Sequence, residues 1–518
     1  MKKVIIVIGI SMLLWSGSSQ AATKYMRADG TAATALLSTG PATDAAACMS
    51  IATHNHVVNG AGALAAGDTI IVSDAGGAYT AMLSTKRTDL IYQGSGTPTW
   101  SNTDSPYDFN IAHANTTVRE ITFSGPANKT WVYVGADSAV LDALDITDSP
   151  HNTGYNSIKV QSTNCEIKNC TFTSAGTGTL LSDITGTGTL IHDNTFTAAY
   201  QCIGLAASAA STAQVYDNTF VGTDLALGGG SYGYGILIGA NFGGSIYRNT
   251  IAGGANYAAV FAYTDEWVGI RSNNPFTGGV VKQNLAYYCT VGFAAYGTSS
   301  GTWTYNIAFL NTKNGFDNSA GDGNLFYNNI SAFNHKHQFC QQTSGTNSRF
   351  ANNIGWADGT LPAGLAGDRQ CMSISSGNAR LDNNFWILSN PAVGCYLGYI
   401  DSAERATMAD YIAAVQATAG LTNLAGTAGA AEAHSIGEET LATALLYFLD
   451  VTIADRLDYD WHPSVTFPGR GKGVKLGLTA DYAGTAISGT PNMGAYGFKS
   501  SGGTNPRTRS TRGGDRLR

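Results

Sequence analysis

A short pattern built around asparagine recurs at nearly constant intervals through the middle of this chain. Each copy has two positions that favour apolar residues, a variable residue, the asparagine, and another apolar residue within two positions, as in Ile191-His192-Asp193-Asn194-Thr195-Phe196. Most copies follow the previous one after 22 to 25 residues. The nine asparagines are Asn169, Asn194, Asn218, Asn249, Asn284, Asn306, Asn329, Asn353 and Asn384. Such a repeat predicts a stack of equivalent coils.

The residues around each asparagine alternate between apolar and polar over four to six positions, which is the periodicity of β-strands. Amphipathic helices are absent from this stretch of sequence, so alternating β-α units and leucine-rich horseshoes are excluded. A period of this length leaves room for about three short strands per coil, which predicts a parallel β-solenoid. Asparagine suits its corners because it tolerates left-handed backbone and its amide can bond the asparagine of the next coil.

Composition excludes several other classes of protein. Only 13% of the residues are charged, whereas about a quarter is usual. The 63 glycines show no three-residue period, which excludes collagen, and the many aromatic and β-branched residues argue against disorder. A net charge of −7 argues against binding to nucleic acid. Beyond the N-terminus, no segment has the roughly 20 apolar residues of a membrane span.

The chain is predicted to divide into four parts. Met1-Lys2-Lys3, an apolar run over 4–15 and a small-residue exit ending in Ser19-Gln20-Ala21 have the order of a bacterial-type signal peptide. This predicts secretion, either to the periplasm or out of the cell. The parts are a signal peptide over 1–22, a parallel β-helix with its N-terminal cap over 23–389, a C-terminal region with helices and closing strands over 390–498, and a basic disordered tail over 499–518.

Two helices are predicted in the C-terminal region, where they would cover the last coil. Asp401-Ser402-Ala403-Glu404 has the spacing of a capping box and is expected to open a helix that runs to about residue 419. A second helix is expected over 432–450, because several leucines there recur on one face. An uncovered last coil would expose unpaired backbone, so a cap is needed.

Eight cysteines in an exported chain allow two interpretations. They form disulfides, or they remain free thiols buried in the stacked core. No pair has the spacing of a metal-binding motif. The cysteines are Cys48, Cys165, Cys170, Cys202, Cys289, Cys340, Cys371 and Cys395.

Segments at both ends of the chain are similar to those of a known family. Lys24-Tyr25-Met26-Arg27-Ala28-Asp29-Gly30 looks like an opening strand, and Asn492-Met493-Gly494-Ala495-Tyr496 is similar to a closing segment. On these residues the chain resembles the pectate-lyase-like superfamily over about 25–498. The resemblance implies an all-β, single-stranded right-handed parallel β-helix (β-solenoid) with a partly helical C-terminal region. The same scaffold carries lyases, hydrolases, epimerases, tailspikes and adhesins, so the resemblance implies no single reaction.

A second repeat marks the place where chemistry is expected. Its members are predicted to stack inward at intervals of 23 residues, with a longer step before the last one: Phe293, Phe316, Phe339 and Met372. Three positions before the last three members stand the cations Lys313, Lys336 and Arg369. Residues at an odd offset from an inward residue point outward on a strand. The three cations are therefore predicted to form one outward basic column, about 10 Å long at the spacing of the coils.

Such a column predicts binding of acidic polysaccharide, because cations pair with the carboxylates of a uronate chain. The expected reaction is β-elimination, in which a cation neutralises the carboxylate, a base removes the C5 proton and an acid assists the leaving oxygen. The predicted catalytic residues are Lys336, first choice as the base, His335, His337 and Arg369. The predicted substrate-binding residues are Lys313, Asp317, Asp368 and Arg271. Strict alternation would turn both histidines inward, and a solvated charged face is the alternative for the whole column.

Asp265 and Glu266 are predicted to hold Ca²⁺, as carboxylates do in several lyases of the family that the chain resembles; a surface acidic turn is the alternative. The Asp-Asp pair and Gly-His-Gly run of that family's hydrolases are absent, and so is the Trp-x-Asp-His run of its pectate lyases. The predicted function is a secreted lyase that cleaves uronate-containing polysaccharide. The alternatives are a non-catalytic carbohydrate-binding, adhesive or tailspike-like β-helix, and a glycoside hydrolase on the same scaffold.

Overall fold

Three long sheets run through the molecule, and from Thr117–Arg119 to Cys395–Ile400 each coil of the chain contributes one strand to each of them. The chain is thus the single-stranded right-handed parallel β-helix that the sequence predicts. In this computed structural model, the described residues are 21–495 with the exception of 33–44, 56–63, 101–106, 126–129, 149–155, 175, 177, 183, 185, 199, 206–210, 224–231, 255–265, 275, 277, 298–299, 343–346, 360–368, 376–377, 390–394, 439, 441–442, 445, 451–459, 482–485 and 488. The predicted signal peptide, apart from its last two residues, and the predicted basic tail lie outside them.

Strands within a sheet pair in parallel and in register from one coil to the next, apart from one antiparallel pair at the end of sheet 3. Sheet 1 consists of Thr23–Met26, Thr69–Ser73, Ile91–Ser95, Thr117–Arg119, Val140–Asp142, Glu166–Lys168, Leu190–His192, Gln214–Tyr216, Ser245–Tyr247, Val280–Lys282, Thr302–Thr304, Leu325–Tyr327, Ser348–Ala351 and Ala379–Asp382. Sheet 2 consists of Thr122–Gly125, Asp145–Asp148, Thr171–Ser174, Thr195–Ala198, Thr219–Gly222, Thr250–Ala252, Leu285–Tyr287, Ile307–Phe309, Ile330–Ala332, Ile354–Asp358, Phe385–Ser389 and Ile436–Glu438. Sheet 3 consists of Leu83–Ser84, Tyr107–Ile111, Thr130–Val134, Asn156–Val160, Thr179–Ser182, Gln201–Leu205, Tyr232–Ile238, Glu266–Ser272, Val291–Ala295, Asn314–Asn318, His337–Gln341, Arg369–Ile374, Cys395–Ile400 and Ala403–Arg405.

The repeated asparagine lies buried at the corner between sheets 1 and 2, where it bonds the next coil. In Asn306, Nδ2 donates to Oδ1 of Asn329 at 3.2 Å and to the carbonyl oxygen of Val281 at 2.8 Å. Its Oδ1 accepts from the backbone N–H of Asn284 at 3.1 Å and from Nδ2 of that residue at 3.0 Å. The amide therefore has a partner for each donor and acceptor, as a buried amide requires.

The ladder begins one residue later than the sequence pattern places it. Asn169 is exposed, and its ladder position belongs to Cys170, whose backbone N–H donates to Oδ1 of Asn194 at 2.9 Å. The interval from Cys170 to Asn194 is 24 residues, equal to the next interval, whereas the interval from Asn169 is 25. Among the described residues, the ladder consists of eight asparagines from Asn194 to Asn384.

The left-handed backbone falls on the residue before each ladder position, not on the ladder asparagine itself. The expectation that one residue would serve both purposes is wrong, since the residue that turns the corner points its side chain outward. These residues, with φ between 53° and 58°, are Ala143, Asn169, Asp193, Asp217, Arg248, Gln283, Tyr305, Asn328, Asn352 and Asn383.

The described residues of a late segment, 472–481, 486–487 and 489–494, contact this outward row. The segment lies along the corner between sheets 1 and 2, and amide side chains of the row donate to its backbone carbonyls. The pairs are Asn383 with Lys472 (3.1 Å), Asn352 with Val474 (2.8 Å) and Asn328 with Gly494 (3.1 Å). The neighbouring Met493 and Ala495 are buried against sheet 2.

The C-terminal region differs from its prediction in three respects. Cys395–Ile400 pairs in parallel with the preceding strand of sheet 3, so the β-helix continues beyond residue 389. The first helix runs from Met408 to Ala417 and is capped by Thr407. Asp401 and Ser402 do not open it, because both have positive φ and turn the chain into the antiparallel strand Ala403–Arg405.

Most of the second helix predicted over 432–450 is not formed in its described part, where helical backbone is limited to residues 443–444. Ile436–Glu438 completes sheet 2, and Phe448–Asp450 pairs with Asp460–Pro463 in a small antiparallel sheet. Pairing with the open edge of sheet 2 overrides the leucine periodicity, and Leu446 of that periodic face is 65% exposed. Among the described residues, two further short helices have defined bounds, Ile51–Asn55 and the 3₁₀ helix Ala45–Ala47. Within the described part of the chain, no helix is long and apolar enough to cross a membrane.

The cysteines follow the free-thiol interpretation. All eight are buried, and none is bonded to another. Burial raises the pKa of the Cys170 thiol to about 12, so it is protonated and unreactive at neutral pH.

The ladder ends on a buried carboxylate. Nδ2 of Asn384 donates to Glu432 at 3.1 Å, and the Tyr411 hydroxyl and the Trp386 indole donate to the same carboxylate at 3.0 and 3.1 Å. Burial raises the pKa of Glu432 to about 7 although these donors oppose the shift. Glu432 thus occupies the place of a ninth ladder asparagine.

Replacement of a central ladder residue is expected to destabilise the coil. In Asn306→Ala, the partners on Asn284, Asn329 and Val281 lose their bonds while they stay buried. The free energy of unfolding should fall by about 3 kcal/mol, measured by chemical denaturation. The control is Asn169→Gly, which keeps a residue suited to positive φ outside the ladder and should cost less than about 0.5 kcal/mol. Equal losses in the two variants would contradict the register described above.

Glu432 is expected to make stability depend on pH. Its folded pKa of about 7 lies above the ordinary 4.5, so between these values the folded protein keeps a proton that the unfolded chain releases. Its contribution is therefore complete below pH 4.5 and declines as the pH rises to 7. Relative to Glu432→Gln, the wild type should lose on the order of 3 kcal/mol across this window. Parallel pH profiles of unfolding for the two proteins would contradict the assignment.

Candidate functional site

The predicted inward stack exists and forms the frame of the site. The rings of Phe293 and Phe316, and those of Phe316 and Phe339, are stacked with centroids 4.9 Å apart, and Met372 follows in register on the next strand. All four side chains are buried. Every residue at a fixed offset from this stack therefore lies beside its counterpart on the neighbouring coil.

Two columns of side chains form the outward face of sheet 3. One column lies two residues before the stack and the other lies one residue after it. Nδ2 of Asn314 in the first column donates to Oδ2 of Asp317 in the second at 2.9 Å. In the same way, Arg271 donates to the Tyr234 hydroxyl at 3.0 Å. The contacts place both columns on one face, and His337 belongs to the first column, so strict alternation gives the wrong direction for it.

A second amide ladder, which the sequence analysis missed, supports this departure from alternation. Nδ2 of Asn311 donates to Oδ1 of Asn334 at 2.8 Å, and Asn334 in turn donates to Gln338 at 2.7 Å. The ladder runs beneath the strand at Gly315, where an added Cβ would lie 2.5 Å from Nδ2 of Asn334. The glycine lets the backbone approach the ladder. The 23-residue spacing of Asn311 and Asn334 is the signal that was available in the sequence.

The three cations of the basic column lie on consecutive coils, as predicted. The backbone N–H of Lys336 donates to the carbonyl oxygen of Lys313 at 2.9 Å, and that of Gln370 donates to the carbonyl oxygen of Lys336 at 2.8 Å. Arg369, the residue before Gln370, therefore lies beside Lys336 on the neighbouring coil.

The charged ends of these three side chains have different surroundings. The Lys313 ammonium forms an ion pair with the Glu266 carboxylate. The Arg369 guanidinium donates to the carbonyl oxygen of Gly359 at 2.9 Å. Gly359 directly follows the strand Ile354–Asp358 of sheet 2. Lys336 is exposed, and it forms no ion pair with any residue in the described ranges. Lys336 is thus the cation of the column that is available to a ligand.

His335 and His337 flank Lys336 and are almost completely buried, at 4% and 8% exposed. Burial, assisted by the charge of Arg369, lowers the pKa of His335 to about 4. Burial, assisted by the charge of Lys336, lowers the pKa of His337 to about 3. Both imidazoles are neutral at physiological pH. Nδ1 of His337 has no hydrogen-bond partner among the described residues.

Asp317 was expected to bind substrate, but the structure places it beneath the surface. It is 3% exposed, and burial raises its pKa. Its Oδ2 accepts from the Tyr296 hydroxyl at 3.2 Å and from Asn314 at 2.9 Å. Asp317 therefore positions its neighbours, and the surface group that it holds is Tyr296, which the sequence analysis did not single out.

Arg271 lies among tyrosines two coils before Asn314. Its guanidinium carbon is 4.5 Å from the ring centroid of Tyr296, 5.0 Å from that of Tyr232 and 5.3 Å from that of Tyr234. Cation–π contacts of this kind hold the guanidinium in place, and because Nε donates to Oδ1 of Asn273 and Nη1 to the Tyr234 hydroxyl, Nη2 is the nitrogen that the described residues leave for a ligand. Tyr232 and Tyr234 lie two residues apart on one strand. This spacing next to a long insertion is the feature of the sequence from which they could have been identified.

The described residues do not fit a calcium site. The Glu266 carboxylate is paired with the Lys313 ammonium, and no cluster of three histidine, cysteine or acidic side chains that could hold a metal occurs in the described ranges. Asp265 and Asp368 lie outside those ranges. Calcium binding stays a prediction that depends on Asp265.

No protein-family model matches the chain, and no curated protein matches it. Three solved structures are distantly similar. The periplasmic alginate epimerase AlgG is 11% identical with a TM-score of 0.35 over 64% of this chain and 65% of that chain, so the chain spans about two thirds of its length. The tailspike protein of E. coli bacteriophage HK620 in complex with pentasaccharide is 12% identical, with a TM-score of 0.44 over 68% and 73%. The complex of XylC with xylose is 10% identical, with a TM-score of 0.39 over 92% and 98%.

His335 and His337 are expected to stay neutral at pH values well below those at which histidines usually become protonated. Their folded pKa values of about 4 and 3 lie below the ordinary 6.5, so they contribute stability above pH 6.5 that is lost as the pH falls toward 4. In an NMR titration, the imidazole resonances of His335 and His337 should not shift between pH 8 and about 5. His335→Gln and His337→Gln assign the two signals. A midpoint near 6.5 for either one would show that its ring is solvated.

Proposed function

We propose that this protein is an exported lyase of the pectate-lyase-like superfamily that binds uronate-containing polysaccharide along the outward face of sheet 3 and cleaves it by β-elimination. The observation that carries the proposal is the adjacency of Lys336, an exposed cation, and His337, a neutral imidazole with an unpartnered nitrogen. Elimination from a uronate needs a cation for the carboxylate and a base for the C5 proton. The C4–O4 bond breaks as the C4=C5 double bond forms, and the protonated base or water would return a proton to the leaving oxygen.

The geometry favours an exchange of the roles expected from the sequence. Lys336 is the exposed cation of the column, so it suits the uronate carboxylate, whose charge it would neutralise as electrons move toward it. His337 is uncharged, and its unpartnered Nδ1 is buried, so it would accept a proton once the ring turns that nitrogen toward the bound uronate. A carboxylate bound at Lys336 would also raise the basicity of His337, because a nearby negative charge favours the protonated ring. The base would thus become effective when substrate is present.

Other groups of the face extend the proposed contact with the polymer. Arg271 lies two coils from Asn314, about 10 Å away at the spacing of strands within a sheet, and would receive a second carboxylate. Tyr296, held by Asp317, offers a hydroxyl and a ring edge next to Arg271. Cations and aromatic groups on one face suit a charged polymer of rings.

Substitutions at Lys336 and His337 separate the two roles. His337→Gln should lower kcat by at least ~100-fold, the low end for loss of a general base. Lys336→Ala should lose a similar factor, whereas Lys336→Arg keeps the positive charge and should retain activity within about tenfold. The assay is the rise in ultraviolet absorbance from the unsaturated product, with alginate, pectate and glycosaminoglycans as substrates.

The matched control is Lys475→Ala, which removes an exposed lysine from the segment over 472–494 and should leave turnover unchanged. Thermal melting of each variant separates loss of chemistry from loss of fold. If Lys336→Arg is as inactive as Lys336→Ala while His337→Gln is active, the lysine is the base and the exchange of roles is wrong. Salt-dependent binding without any absorbance change would identify a non-catalytic carbohydrate-binding β-helix instead.

A further inference from the structure

The face of sheet 3 carries a depression several coils closer to the N-terminus than Lys336. Its volume is about 310 Å³. Gln201 lies five strands before His337 in sheet 3, which corresponds to about 24 Å at the spacing of adjacent strands. The depression, here called the amide groove, has as its polar lining residues Asn156, Thr179, Ser182, Gln201, Asn273 and Asn274.

The amide groove is built from the two outward columns described above. Asn156, Thr179 and Gln201 are register partners in the column before the stack, and Ser182 stands in the column after it. The groove is therefore a continuation of the surface that carries His337 and Arg271. A polymer that follows sheet 3 would pass from one to the other without leaving the face.

The lining offers hydrogen bonds without charge. None of the described lining residues is ionisable. Gln201 and Ser182 are each 7% exposed, and Oγ of Ser182 has no hydrogen-bond partner among the described residues. A buried hydroxyl without a partner is costly unless a ligand or water satisfies it.

The shape of the floor is set by a glycine. A Cβ at Gly204 would lie 2.4 Å from Nε2 of Gln201, so the glycine leaves space for that amide. An amide presents a donor and an acceptor side by side, and neighbouring hydroxyls of a sugar ring present the complementary pair. The half-buried Leu237 adds apolar surface to the lining, against which the carbon face of a ring can rest.

Cations stand at both ends of the amide groove. Lys159 is the register partner of Ser182, and Arg271 is the register partner of Leu237, all within the same outward column. Four strand spacings, about 19 Å, separate the two cations. Along the path of the polymer, this column therefore has a positively charged residue at each end and uncharged residues between them.

We infer that the amide groove binds an uncharged sugar unit, and that the substrate is a heteropolysaccharide in which neutral units stand between uronates. This rests on the proposed function, since it assumes a polysaccharide that runs along sheet 3. A polymer with a carboxylate at every unit would bring negative charge onto amides that can neutralise none of it.

Affinity for two kinds of polymer tests the inference. Calorimetry would compare alginate and polygalacturonate, which carry a uronate at every unit, with hyaluronan, chondroitin, gellan and xanthan, which contain uncharged units. The wild type should bind at least one of the second group at least tenfold more tightly than either of the first. Gln201→Met removes the amide at similar volume and should abolish this preference, while affinity for alginate changes less than twofold. The matched control is Gln214→Met on the outward face of sheet 1.

If Gln201→Met does not fold, the rim variants Asn156→Ala and Asn274→Ala replace it, with the same expected loss of preference. Equal affinity of the wild type for both kinds of polymer, or an equal loss for both in the variant, would overturn the inference. The absorbance assay distinguishes this from failure of the proposed function. Cleavage with an unchanged preference overturns the amide groove alone, and a Gln201-dependent preference without cleavage overturns the lyase alone.

Discussion

The hydrogen bond from one buried carboxamide to the next is the interaction on which this structure depends. Strands that stack in parallel can slide by whole residue pairs at small cost in backbone bonding, but a buried amide that misses its partner leaves donors and acceptors unpaired. From Asn194 to Asn384, each ladder residue therefore sets the register of the following coil. The columns of sheet 3 inherit that register, which is why residues 23 positions apart, such as Lys313 and Lys336, become neighbours on one face.

The parts of the structure that repeat were predictable from the sequence. The coil, the inward stack from Phe293 to Met372 and the alignment of the basic column follow from spacing alone, because a solenoid converts equal intervals along the chain into contacts in space. The single error of register, at Asn169, arose where a cysteine replaces the ladder asparagine and its own neighbour is an asparagine. Residue type alone could not show whether Asn169 or Cys170 belongs to the ladder, whereas the 24-residue interval from Cys170 to Asn194 does.

The features that do not repeat could not be read in this way. The outward direction of His337 goes with two successive buried residues, Gln338, which bonds the second ladder at Asn334, and Phe339, and strict alternation along a strand does not predict such a pair. The ion pair of Lys313 with Glu266 joins residues 47 positions apart on coils of unequal length. In the C-terminal region, the open edge of sheet 2 decides the conformation of Ile436–Glu438, so a local helical pattern is overruled.

The amide ladder has a direction, and its last member gives it an end. The side chain of each asparagine donates an N–H to the asparagine of the next coil, and its oxygen accepts from the asparagine of the preceding coil. This pattern by itself could be extended by any number of asparagines. Glu432 receives the last N–H but has only oxygens on its side chain, and the hydroxyl and indole donors around it occupy them. A duplicated coil can thus be inserted within the ladder, whereas a coil appended after Glu432 would meet no amide N–H from the last member of the ladder.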